Sequence, residues 1–350
     1  MKRRIGFAFA LLVPALLVHA CATRPVVERP VSDHFDGEVF SNYEPVERTF
    51  KQFINWMMNR NPGEWPEYQQ RPPGPKPLQR VEGERLRVTM VGHSTLLVQT
   101  AGLNILTDPI WSDRASPVSF AGPHRVHPPG IAFEQLPPID LVLVSHGHYD
   151  HMDIPTLKRL YERFQPRFLV GLGQGVYLQR AGIEAVTELD WWDEFSVAAN
   201  HQPDKAATIT AVPVRHWSAR WIGDRNRALW VGFVIDAGSG PLFFAGDTGF
   251  GDHFRQIAER FGPPRLAMLP IGAYLPRHFM VQAHTSPGDA LKVHQLMEAG
   301  TSVAMHFGTF RLGDDGETQA VEQLQKLIAE TEKPLRPFLI PHFGEPIEIN

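Results

Sequence analysis

Ile139-Asp140-Leu141-Val142-Leu143-Val144-Ser145 runs directly into His146-Gly147-His148-Tyr149-Asp150-His151. The first half is a short apolar run rich in branched side chains and reads as a buried β-strand. The second half places three histidines and an aspartate within six positions at that strand's carboxyl end, where loops converge on ligands. Imidazole nitrogen and carboxylate oxygen suit zinc, and also iron or manganese. Desolvating several such groups together without a cation is costly, because each must neutralise or find a partner. A solvated polar loop explains one His-x-His well and the whole run poorly.

Working outward, Ile154 to Phe164 reads as a helix and Phe168 to Gly171 as the next strand. Upstream, Leu86 to Val91 and Thr95 to Gln99 read as strands around Gly92-His93-Ser94, and Leu103 to Thr107 as a third ending at Asp108-Pro109. The second half repeats the alternation. Strands are expected over Thr208 to Val214, Leu266 to Pro270 and Ser302 to Met305, helices over Phe254 to Phe261 and Ser286 to Ala299. A hairpin is expected from Trp230 to Ile235 and Pro241 to Ala245. Strands with intervening helices in two successive halves point to a layered α/β fold, and neither a short repeat nor a second independent domain is visible. His216, Asp247 and His306 each follow a strand of this second half. Taken singly, a histidine in that position is more often a satisfied loop residue than a ligand. Together the three lie at the same strand ends as the first cluster, where parallel sheets place their sites.

The chain has 350 residues, with 34 lysines and arginines against 38 aspartates and glutamates, scattered rather than blocked. Nothing resembles the basic stripe that binding a phosphate backbone requires, so no nucleic-acid partner is expected. At the N-terminus, Lys2, Arg3 and Arg4 precede an apolar run, Ile5 to Val18, too short for a comfortable membrane span. Val18-His19-Ala20-Cys21 then resembles the lipobox of bacterial lipoproteins, and Cys21 is the sole cysteine, which excludes an intrachain disulfide. Residues 1–20 are therefore expected to be a lipoprotein-type signal peptide and Cys21 the lipidated residue. Ala22, rather than Asp, after the cysteine implies an envelope protein held by its lipid anchor at the outer membrane, facing the periplasm. Residues 21–80 read as a Pro- and Arg-rich arm with a helical patch over Arg48 to Met58, and residues 81–350 as the catalytic domain.

His146-x-His148-x-Asp150-His151, then His216, then Asp247 in a Gly-Asp-Thr setting, then His306, resembles the metallo-β-lactamase superfamily. Within it the chain is similar to the N-acylphosphatidylethanolamine-hydrolysing phospholipases D and their bacterial relatives. Gly92-His93-Ser94-Thr95, Leu106-Thr107-Asp108-Pro109-Ile110, Glu188-Leu189-Asp190-Trp191-Trp192, Phe243-Phe244-Ala245-Gly246-Asp247-Thr248-Gly249 and His306-Phe307-Gly308-Thr309-Phe310 carry that likeness. The resemblance implies a four-layer αββα sandwich with two zinc ions between the sheets, iron or manganese also suiting the donors. His146, His148 and His216 would hold one ion, Asp150, His151 and His306 the other, with Asp247 bridging. Two close ions bring the pKa of a bridging water toward neutrality and hold it as hydroxide. Asp150 or Asp247 would orient that hydroxide, and His284 would stabilise or protonate the leaving side. Tyr149 and His284 match positions near the substrate head group, while Ala283 stands where the animal enzyme has a glutamine.

The implied activity is hydrolysis of an N-acylphosphatidylethanolamine-type phosphodiester, and a homodimer is a further expectation from the resemblance. A lactone, a β-lactam or a non-lipid phosphodiester is the alternative substrate, because the same Lewis-acid chemistry serves carbon and phosphorus. A non-catalytic envelope lipoprotein with structural metals is the third reading. Asp108 suits an outer partner of a ligating imidazole, and His93 either such a role or a turn. Trp191-Trp192 suits core packing or a lipid channel, and Phe307 and Phe310 suit packing. His34, His124, His127, His201, His253, His294 and His342 default to no function, His342 being the first to examine.

Overall fold

Two seven-stranded sheets pack face to face in the computed structural model, which describes residues 24–46, 49–199, 202–332 and 334–349. The signal segment and Cys21 lie outside the described residues. Among those described, no helix is long and apolar enough to cross a membrane. The first sheet comprises β1 (Leu86–Gly92), β2 (Thr95–Thr100), β3 (Leu103–Thr107), β4 (Leu141–Val144), β5 (Arg167–Gly171), β6 (Val186–Leu189) and, at its edge beside β1, the C-terminal β14 (Pro346–Ile349). The second holds β7 (Glu194–Ala199), β8 (Gln202–Val212), β9 (Gly232–Asp236), β10 (Pro241–Phe244), β11 (Leu266–Pro270), β12 (Thr301–Met305) and β13 (Phe338–Leu339), in that order. β1 to β3 form an antiparallel meander and β3 to β6 run parallel; β7 to β10 are antiparallel and β10 to β13 parallel.

β4 shows why this sequence needs layers on both sides. Leu141 and Leu143 join the core between the sheets, whereas Val142 and Val144 join a second cluster outside the first sheet. That outer cluster is completed by Leu157 and Leu160 of α2 (Ile154–Phe164) and Leu178 of α3 (Gly175–Arg180). A strand alternates faces with period two, so an unbroken apolar run is stable only where both faces are covered. The second sheet is covered in the same way. Phe254 and Ile257 of α4 (His253–Phe261), Ala290 and Val293 of α6 (Pro287–Leu296) and Leu324 of α7 (Gln319–Ala329) are buried in the main core. The result is the αββα sandwich that the family resemblance implied.

Element boundaries follow local chemistry. The helix expected over Ser286 to Ala299 spans Pro287–Leu296, because Ser286 is its N-cap in a reciprocal capping box with Asp289. Likewise α1 (Phe50–Met58) starts after Thr49, which is boxed with Gln52. The strand expected from Ile139 shortens to Leu141–Val144. Sequence periodicity had not singled out β6, β7, α3, α5 (Arg277–Met280), α7, β13 or β14. The arm is not a loose leader: Phe35 and Phe40 are buried in the core between and around the sheets. Trp191 is core as well, donating its indole N–H to the Trp230 carbonyl at 2.9 Å.

Candidate active site

β3, β4, β8, β10 and β12 all end on one rim of the sandwich, and their following residues meet there. β3 ends at Thr107, so Asp108 projects beside the start of the His146–His151 loop. Its carboxylate accepts from the Ser145 backbone N–H at 2.7 Å, the Ser145 hydroxyl at 2.6 Å and His151 Nδ1 at 2.6 Å. Gly147 lets that loop lie against its neighbours; a Cβ there would meet Gln174 Oε1 and Ser218 Oγ at 2.9 Å. Arg220 closes the other side, donating from Nη1 to the Gly147 and Met152 carbonyls, both at 2.8 Å. On β12's exit, His306 takes a left-handed conformation (φ 60°) and its N–H donates to the His93 carbonyl at 2.9 Å.

These contacts fix ring tautomers. The Ser145 hydroxyl spends its proton on Asp108, so His146 Nδ1, 2.9 Å away, must be the donor to Ser145 Oγ. His146 Nε2 is left as a lone pair. His216 Nδ1 faces the Ala283 carbonyl at 2.8 Å, which only accepts, so its Nε2 is a lone pair too. Both lone pairs converge on His148 Nδ1, at 2.8 Å from His146 and 3.3 Å from His216. One proton on His148 cannot serve both. A cation at the point where the three nitrogens meet satisfies all of them, and this donor set suits a metal ion.

The adjoining half is built on carboxylates. His151 Nδ1 is spoken for by Asp108, which turns Nε2 toward Asp150 Oδ2 at 3.1 Å and Asp247 Oδ2 at 3.4 Å. His306 Nε2 lies 3.1 Å from Asp247 Oδ1 and 3.6 Å from Asp150 Oδ2. His93 Nε2 meets Asp150 Oδ2 at 2.9 Å. Among the described residues, the buried atoms His151 Nε2, His306 Nε2 and Asp247 Oδ1 lack a hydrogen bond of good geometry. Their ligand atoms fall into overlapping groups within 4.8 Å: His146, His148 and His216; His93, Asp150, His151 and His306; His216, Asp247 and His284; and Asp108, His146 and His151.

Electrostatics agree with a site made for cations. Burial, with neighbouring imidazoles, holds His146 well below its ordinary value, and burial brings His148 down to about 4. Burial also dominates at His216, which is held well below its ordinary value. At His151 burial works against charge, yet Asp247, Asp150 and Asp108 outweigh it and push the imidazole well above its ordinary value. At His306 burial is likewise overcome, chiefly by Asp247 and Asp150, and the imidazole rises to about 9. Asp150 and Asp247, though buried, are held well below the usual carboxylate range by the surrounding histidines. Three neutral nitrogens therefore sit beside a pocket of anionic oxygen that calls for positive charge.

All seven residues expected as ligands are thus brought together, from four separate strand ends, with Asp108 behind them at a fifth. His284 joins them, its Nδ1 3.7 Å from Asp247 Oδ2. Tyr149 lies at the same loop, but its hydroxyl donates to the Arg220 carbonyl at 2.6 Å, so it buttresses the loop. His93 is part of the cluster through Asp150 as well as lying in a left-handed turn (φ 55°). His127 lies away from the cluster, with Nδ1 2.8 Å from the Pro128 carbonyl and Nε2 3.1 Å from the Gly308 carbonyl, only one of which its neutral ring can serve, and His342 is exposed. His201 lies outside the described residues. Sequence reading passed over Arg220 and Asn42, which have no strand end or motif to mark them.

Residues 103–307 match the beta-lactamase superfamily domain. The chain is 41% identical over 235 residues to N-acyl-phosphatidylethanolamine-hydrolyzing phospholipase D 1 of Caenorhabditis elegans, covering 65% of each protein. It is 35% identical over 326 residues to the uncharacterized protein Rv0906 of Mycobacterium tuberculosis, covering 89% of this chain and 83% of that one. The fold is also that of an isothiocyanate hydrolase from Delia radicum gut bacteria, with a TM-score of 0.60 at 21% identity over 75% of this chain and 98% of that one. With its His and Asp cluster gathered at one rim, the chain belongs to the beta-lactamase superfamily as one of its metal-dependent hydrolases.

Proposed function

We propose that the protein is a binuclear phosphodiesterase of the phospholipase D type, acting on N-acylphosphatidylethanolamine-like phospholipids. The observation that carries the binuclear reading is the placement of Asp247. Its Oδ2 lies 3.8 Å from His216 Nε2 in the three-imidazole group, and its Oδ1 lies 3.1 Å from His306 Nε2 in the carboxylate-rich group. One carboxylate therefore reaches both halves of the cluster. Zinc fits the nitrogen and oxygen donors, and iron or manganese would fit as well. A pair of such ions supplies Lewis acidity and lowers the pKa of a bound water.

The chain's own groups supply the rest. Asp150 and Asp247 are positioned to orient a nucleophile. His284 stands at the open margin, its ring 5.1 Å from that of His216 and 5.8 Å from that of His306, and would protonate the departing alkoxide. The lipid class of substrate rests on likeness to the worm phospholipase D. Ala283 favours a second reading of the head group, since a buried methyl cannot hydrogen-bond an N-acyl amide. A simpler phosphodiester head group, a lactone or a β-lactam would then be preferred. Metal analysis joined to turnover separates these readings. Phosphatidic acid released from micellar N-acylphosphatidylethanolamine supports the first, and exclusive ring opening of lactones or nitrocefin defeats it. A lipidated Cys21 would hold this domain at the outer membrane that supplies such a substrate, with homodimerisation an accompanying expectation. Detergent-phase partitioning that is unchanged by Cys21→Ser would remove the anchor.

A further inference from the structure

His216 is held at both ends of its residue. Its ring is tied to the Ala283 carbonyl, and its peptide is tied to Asn42, far upstream of the segment that matches the superfamily domain. Asn42 Nδ2 donates to the His216 carbonyl at 2.8 Å, and the His216 N–H donates back to Asn42 Oδ1 at 3.0 Å. Trp230 Nε1 donates to the same oxygen at 2.9 Å. Both of the latter groups are donors only, which fixes the amide's orientation: oxygen toward Trp230 and His216 N–H, nitrogen toward the carbonyl. A primary amide is the neutral side chain that carries donor and acceptor on one planar end, so it can close a two-bond ring with a single residue's peptide groups.

The arm is anchored on either side of this contact. Phe40, fully buried, donates its N–H to the Asn226 carbonyl at 2.7 Å. Glu44 accepts from the Asp252 N–H at 2.8 Å and pairs with Arg215 at 3.3 Å, and Arg215 Nη2 donates to the Pro45 carbonyl at 3.1 Å. The residue beside the ligand and the ligand itself are thus gripped by consecutive stretches of the arm.

We propose that Asn42 is a positioning residue of the metal centre, setting the approach of His216 Nε2 to the nitrogens of His146 and His148. The arm is then a working part of the site. This rests on the reading that those three imidazoles hold an ion. Partners of this kind change metal affinity by roughly 10- to 100-fold when lost.

The test uses the full chain, stripped of metal and titrated with cobalt(II) against a competing chelator, with the visible cobalt bands recorded. Asn42→Ala should bind one equivalent on the order of 10- to 100-fold more weakly and shift the spectrum. His34→Ala, which loosens the same arm without touching His216, should leave affinity and spectrum unchanged. Wild-type affinity and spectrum in Asn42→Ala, or an equal loss in His34→Ala, overturns the inference while leaving the metal reading intact. If Asn42→Ala does not fold, Asn42→Asp decides by the same measure, since it keeps the accepting oxygen and replaces the donor to the His216 carbonyl by an anionic acceptor that cannot bond it. A wild-type chain that takes up no cobalt overturns both.

Discussion

Asp108 shows how much of a metal site lies one bond behind its ligands. Its two oxygens accept three hydrogen bonds, and the one from His151 Nδ1 determines that Nε2 faces Asp150 and Asp247. Asp108→Asn replaces one accepting oxygen by a donor, so fewer than three of those bonds survive. We expect metal affinity to fall roughly 10- to 100-fold, read by chelator competition, with the fold retained. Asp247→Asn removes charge from the carboxylate that reaches both halves of the cluster. It should lose at least one metal equivalent by elemental analysis and, with it, at least about 100-fold in turnover. Retention of both equivalents and full activity would end the binuclear account.

At the scale of elements, the rim depends on strand ends staying in register. Leu143 of β4 is fully buried between the sheets, one residue from the end of the strand that launches the His146 loop. Leu143→Ala should cost about 2–5 kcal/mol in urea unfolding, the range for truncating a buried leucine. Arg220 does the corresponding work between loops. Its guanidinium spans the Gly147 and Met152 carbonyls and lies over the Tyr149 ring at 4.3 Å. Asp224 fixes the same turn by accepting from the Arg220 and Trp221 N–H groups and the Tyr177 hydroxyl. Arg220→Ala should lose about 3 kcal/mol or more, because two carbonyls forfeit a charged donor in a buried setting. Hydrogen exchange should quicken over residues 146–152 before the strands respond.

For the molecule as a whole, the arm should be fastened by a pH-sensitive clamp built around His34. His34 stacks on Trp191 at 4.4 Å and lies between Asp190, at 2.8 Å from Nε2, and Asp33, at 2.6 Å from Nδ1. Burial opposes its charge, but the two carboxylates prevail and raise it above 6.5. Asp190 also pairs with Arg29 at 3.1 Å, and despite burial its bonds to His34 hold it below 3.8. Tyr43 faces the same group, its hydroxyl pushed up first by burial. A raised histidine contributes its stabilisation fully below its unfolded value and loses it as pH rises through the folded one. The lowered Asp190 contributes above 3.8 and loses its share as pH falls through its folded value. Limited proteolysis of residues 24–46 should therefore be slower near about pH 6 than near about pH 9, and His34→Ala should flatten that difference. Equal cleavage rates at both would refute the clamp.

The sequence by itself determined the sheet-forming strands around the site, because a buried strand must be apolar along its length and its period is written in adjacent residues. It also determined the seven clustered donors, since strand-end position and residue type are both local properties. Edge strands β13 and β14 and the short β6 were not legible, because two to four residues carry too little periodicity. Only the tertiary structure decided how the donors are held. The tautomers of His146, His151 and His216 are set by Ser145, Asp108 and the Ala283 carbonyl, and the His216 peptide by Asn42, 174 residues away in the chain. Hydrogen bonds of such separation leave no trace in local pattern: they exist because folding stacks five strand ends and an arm on one rim.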